Sequence, residues 1–99
     1  MGWEDYYRLL IKYKGNLRRV KEEVGGINDN ALMFAIGLYK ERVKDLILAI
    51  INLEEEVSYV RLAKKVEDYI EGDALKEVIE ELIDSGDIFE SRPNMYRPL

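Results

Sequence analysis

The stretch LIDSGDIFESRPNMYRPL, residues 82–99, decides the fold. It begins inside an apolar-striped helix and meets Gly86, a residue suited to the left-handed conformation that ends helices. Asp87 to Glu90 then reads as a strand, Ser91-Arg92-Pro93-Asn94 as a turn, and Met95 to Arg97 as a second strand. Phe89 and Tyr96 are placed to cover the end of a core.

Working upstream, ALKEVIEELIDS (74–85) carries Leu75, Val78, Ile79, Leu82 and Ile83 at helical spacing, and Gly72-Asp73 opens that helix. Before it, Ser58 is a natural cap for YVRLAKKVEDYI, whose Val60, Leu62, Ala63 and Val66 are expected to face inward. Val57 is a short extended stop after Glu54-Glu55-Glu56. Residues 31–53 form a long helical region capped by Asn28-Asp29-Asn30, with Gly37 expected to bend or interrupt it. Helix, short strand, two helices and a terminal hairpin is the order of a winged helix-turn-helix. The expected class is mainly α with a small β-hairpin wing.

ELIDSGDIFESRPNMYRPL resembles the last helix and wing of the small winged-helix domain at the C-terminus of archaeal replicative minichromosome maintenance helicases. Leu82, Gly86, Asp87, Ile88, Phe89, Glu90, Pro93 and Tyr96 match that family's pattern, and VSYVRLAKKV looks like its second helix. The resemblance covers roughly residues 40–99 and implies an archaeal winged-helix domain working in DNA replication or transcription. This chain has no helicase engine, and residues 1–39 have no counterpart in the pattern. They are read as an N-terminal helical extension, packed with 40–99 into one compact unit.

In that extension, Trp3, Tyr6, Tyr7, Leu10, Ile11 and Lys14 share one face of a first helix that Gly15 ends. Asn16 caps a second helix, LRRVKEEV, expected to bury Leu17, Val20 and Val24 before Gly25-Gly26 breaks the chain. GNLRRVKEEVGGI also resembles the second helix of a helix-turn-helix. Region 31–53 is apolar on several sides, so the extension and the long helix are expected to form a homodimer interface.

Cysteine and histidine are both absent, which excludes disulfides, thiolate chemistry and the commonest general base and metal ligand. Adjacent carboxylates such as Glu80-Glu81 diverge on a helix, and no glycine-rich phosphate loop occurs. The chain is therefore read as a binding protein, not an enzyme, with no catalytic, metal or cofactor residues. Abundant Ile, Glu, Lys and Tyr fit a thermophile's cytoplasmic protein. The start, MGWEDYYRLL, has acids where a secretory leader needs bases, and LILAIINL is far shorter than a membrane span.

The net charge of −5 is unevenly spread. Residues 1–50 carry nine Lys and Arg against seven Asp and Glu; residues 51–99 carry six against thirteen. The strongest basic set is Arg8, Lys12, Lys14, Arg18, Arg19 and Lys21, expected to contact DNA together with Arg92 and Arg97 of the wing. The alternative is that these bases pair with the acidic C-terminal lobe, inside the chain or across a dimer. The third helix of the winged unit would show Glu77, Glu80, Glu81 and Asp84 to solvent. Four carboxylates oppose a polyanion, so this face is read either as merely solvated or as a dock for a basic protein partner.

Overall fold

A computed structural model describes all 99 residues. Five helices and three short strands follow one another: α1 (Trp3–Lys12), α2 (Leu17–Glu23), α3 (Asp29–Glu54), β1 (Val57–Ser58), α4 (Tyr59–Val66), α5 (Gly72–Asp84), β2 (Ile88–Arg92) and β3 (Met95–Pro98). The strands form an antiparallel sheet in the order β1-β3-β2. This mainly helical chain with a small β wing has the expected fold class, and its C-terminal part is compatible with a winged-helix shape.

Helix α3 is the axis of the molecule. Leu32, Ala35, Tyr39, Val43, Ile47 and Ile51 recur every three or four residues and are all buried. Along its N-terminal half lie Tyr6 and Leu10 of α1 with Val20 of α2; along its C-terminal half lie Leu62 and Val66 of α4, Leu75, Val78, Ile79 and Leu82 of α5, and the sheet. These side chains make one continuous core. The helix runs unbroken through residues 39 and 40, the junction expected between the extension and the winged unit. The Glu71 N–H donates to the Lys14 carbonyl at 3.0 Å, and the Tyr39 hydroxyl donates to the Tyr69 carbonyl. The two parts are thus joined by hydrogen bonds as well as packing.

Local chemistry explains the boundaries. Asn16, Asn28 and Ser58 each accept a backbone N–H three residues on, from Arg19, Ala31 and Arg61. Gly86 has φ +80°, as the sequence predicts, and lets the chain turn directly from α5 into β2. Gly15 has φ +84°, and a Cβ there would lie 3.1 Å from the Tyr39 ring. The wing turns on Pro93 and Asn94, the latter at φ +61°. Its tip is tied down: the Asn94 N–H donates to Glu90, and the Asn94 carbonyl accepts the Tyr59 N–H at the start of α4. A bulge at Ser91 interrupts the β2–β3 register between Glu90 and Arg92.

Several expectations need correction. Gly37 does not interrupt α3; the apolar stripe holds both sides of it. Val60 is 77% exposed. Two residues are about 200° of helix, so when Leu62 faces the core Val60 faces water. Leu17 and Phe89 are each largely outside the core, whereas Val20 and Tyr96 are inside. Helix α1 ends at Lys12, because Lys14 already takes φ +54°. Val57 is more than a stop: it pairs with Tyr96 and adds a third strand to the wing.

Candidate nucleic-acid and partner interfaces

The basic residues of the extension come to the surface, but not on one plane. Arg18, Arg19 and Lys21 all project from the exposed side of α2, whose other side buries Val20. Lys12, at the end of α1, reaches Glu23 at 3.2 Å. Tyr13 lies between Lys12 and Arg19, which sit 5.1 and 5.7 Å from its ring centre. The Tyr13 hydroxyl, followed by the Lys12 ammonium, holds the Glu23 carboxyl below its usual value, and Glu23 in turn raises Lys12. Arg8 stands on another side of α1, beside Asp5. Lys14 faces a cleft of about 530 Å³ whose walls include Lys64 of α4 and Glu71.

The acidic lobe does not neutralise this set. Arg8 pairs with Asp5, Lys12 with Glu23 and Arg18 with Glu22, all within the extension and all largely exposed. Lys14, Arg19 and Lys21 have no ion-pair partner. Exposed pairs of this kind are worth only about 0–1 kcal/mol, so a phosphate can replace the carboxylate at small cost.

Helix α5 divides its acids. Glu77 and Glu81 turn toward α3, where Lys40 approaches them at 2.9 and 3.5 Å and Lys44 lies 4.0 Å from Glu81. Hydrogen bonding to Glu77 raises the Lys40 ammonium above its ordinary value. Glu80 and Asp84, joined by Asp73 near the N-terminal end, are exposed and unpaired, with Lys76 as the cation among them. The surface that a winged helix would lay in a groove is therefore negative. Lys40 and Lys44 carried no signal in sequence, because their role follows from where α5 lands on α3.

On the wing, Arg92 donates to Glu56 at 3.1 Å, and Ser91 donates to the same carboxylate at 2.8 Å. The Ser91 bond first, then the Arg92 charge, depresses the Glu56 carboxyl. Arg97 is exposed and makes no ion pair. Glu54 is gripped by Arg61 at 2.6 Å with Lys65 behind it, so its carboxyl is also low, chiefly through the Arg61 hydrogen bond. Glu54 and Glu56 thus go to different partners, Glu55 pairs with no cation, and the triplet forms no acid pair.

The chain is 44% identical over 62 residues to an uncharacterized protein of Methanocaldococcus jannaschii, a match that covers 63% of this chain and 27% of the relative. The chain therefore corresponds to about a quarter of that protein's length. No protein-family model matches, and no solved structure matches. No helix is long and apolar enough to cross a membrane.

Proposed function

We propose that the protein is a non-catalytic DNA-binding module of winged-helix type that contacts duplex DNA through α2 and the end of α1, not through α5. One observation carries this reading: the bases of the extension are left free or only loosely paired, and none is spent on the acidic lobe. Phosphate contacts by Lys and Arg supply most of the affinity in such binding, so the free cations are where a duplex gains most. Arg97 at the wing adds a secondary contact. The likeness of residues 40–99 to a replicative helicase's accessory domain supports a place in replication or transcription. The relative in Methanocaldococcus jannaschii supports an archaeal setting.

A second reading has its own observation. Asp73, Glu80 and Asp84 form an unpaired acidic face on α5, which suits a basic protein surface. Titration with duplex DNA at low and moderate salt separates the two. DNA contact predicts affinity that falls steeply with salt and is abolished by Arg18→Glu with Arg19→Glu. It predicts a smaller loss for Arg92→Glu with Arg97→Glu, and unchanged or tighter binding for Glu80→Gln with Asp84→Asn. Absence of binding at every salt concentration rejects the DNA reading and leaves the acidic face as the docking surface.

A further inference from the structure

The side of the molecule where α1 lies along α3 has uncovered apolar groups at its two ends and charged residues between them. Trp3 packs edge-on against Phe34 at 5.3 Å, and both remain in water, Phe34 54% exposed and its neighbour Met33 68%. These rings stand out at one end of the face. At the other end the surface is hollow: a cavity of about 370 Å³ is lined by Tyr7, Ile11, Val43 and Leu46 among others. Between them a second cleft of about 400 Å³ holds Glu4, Arg42 and Leu38. Arg42 and Glu4 form no ion pair within the chain.

We infer that this face is covered by a second copy of the same chain, paired about a two-fold axis with the two α3 helices antiparallel. A two-fold interface uses one patch on both partners, so the patch must complement itself in shape and charge. This one does. Turned end for end, the protruding Phe34 of each chain meets the hollow over Val43 and Leu46 of the other. With that register, Arg42 lies opposite Leu38 of the second copy, whose own cleft supplies Glu4. Each unpaired arginine then finds an unpaired carboxylate, twice per dimer. A nucleic acid fits poorly here, because Glu4, Glu41 and Asp45 outnumber Arg8 and Arg42 in the cleft, and Arg8 already faces Asp5. A partner of one sign would leave half of these charges unmatched. The inference does not rest on the DNA reading, since it uses neither α2 nor the wing; the two surfaces meet on α1, where Arg8 lines the cleft.

Light scattering and sedimentation on the full chain test it. The expected mass is twice the 11.6 kDa of one chain. Arg42→Glu and Glu4→Arg, made separately, each place like charges together and should weaken self-association by about tenfold or more. Mixing the two variants should restore the dimer, because each arginine then meets a carboxylate across the interface. A loss of folding, or a purely internal role for these charges, cannot be rescued by mixing. Phe34→Glu should give a folded monomer, with an unchanged far-ultraviolet circular dichroism spectrum as its control. A wild-type monomer at the highest soluble concentration overturns the inference, and so does a mixture that stays monomeric.

Discussion

Along the N-terminal half of α3, two of the three ion pairs lie within one helix, Arg8 with Asp5 and Arg18 with Glu22, and only Lys12 with Glu23 links α1 to α2. Along its C-terminal half they join separate elements: Lys40 to α5, Arg61 to Glu54, and Arg92 of the wing to Glu56. Both lobes sit on the same buried stripe of one helix. The difference lies in what charge is used for. In the winged unit the paired charge latches one element to another, and what stays unpaired on α5 is mostly acidic. In the extension it decorates helices that packing already holds, which leaves it free for a partner. Position in the fold and the sign of the surface are separate properties, so the third helix of a winged arrangement can carry a surface that repels a polyanion.

The largest expected effect tests whether the lobes are one cooperative body. Ile47 is fully buried where they share α3. Ile47→Ala should cost about 2–5 kcal/mol and lower both lobes together. Trp3, the only tryptophan, reports the extension, while circular dichroism reports the whole chain. Two unfolding midpoints in place of one would break the comparison into two independent domains.

Next in size is Gly86→Val, which strains only the winged unit. A β-branched residue at φ +80° is expected to cost about 1–3 kcal/mol in chemical denaturation. A loss well under about 1 kcal/mol would remove the turn from helix to wing as a fixed point.

Tyr39→Phe probes the joint between the lobes. It deletes the hydroxyl that donates to the Tyr69 carbonyl and should cost about 1 kcal/mol at neutral pH. Burial first, then the Glu71 charge, pushes the Tyr39 hydroxyl up to about 12. The folded state therefore favours the protonated phenol. That contribution is complete below the ordinary tyrosine value of 10.0 and is lost as pH rises from there through about 12. Phenolate absorbance should show Tyr39 titrating late, and the Phe variant should lose less stability than wild type across that alkaline window. Equal losses would mean that the joint is open to solvent.

The smallest effect has the opposite sign. Glu55 ends α3 at φ +67°, a conformation that glycine takes readily. Glu55→Gly should raise stability by up to about 0.5 kcal/mol, roughly 1 kcal/mol of relieved strain less about 0.4–1 kcal/mol for the entropy glycine adds to the unfolded chain. A decrease would show that the Glu55 side chain contributes more than its geometry indicates.

These positions also show which parts of the fold the sequence disclosed. Gly86, Asn16, Asn28 and Ser58 were legible because each does a local job that few residue types can do. The α5 stripe was legible because helical spacing and burial coincide there. Lys14 and Glu55 at positive φ were not, since Lys and Glu give no hint of that conformation, whereas Asn94 falls in the turn the sequence marks. Val60 misled because an apolar residue next to a buried stripe need not belong to it. Of the candidate site, the charge asymmetry was visible by counting. The pairing of Glu77 and Glu81 with Lys40, and of Arg92 with Glu56, was not. Those pairs bring together residues about 35–40 positions apart, and only the completed core sets their distance.

The sheet order β1-β3-β2 leaves β2 with one side unpaired. Open strand edges are where proteins stick to one another and grow into fibrils. Here the Ser91 bulge breaks the flat run of amides, Pro93 removes a donor just beyond it, and Glu90 and Arg92 put charge along the strand. A neighbouring molecule finds no regular template to extend. The wing can therefore stand at the surface of a crowded solution, with Phe89 showing, without seeding strand-by-strand polymerisation.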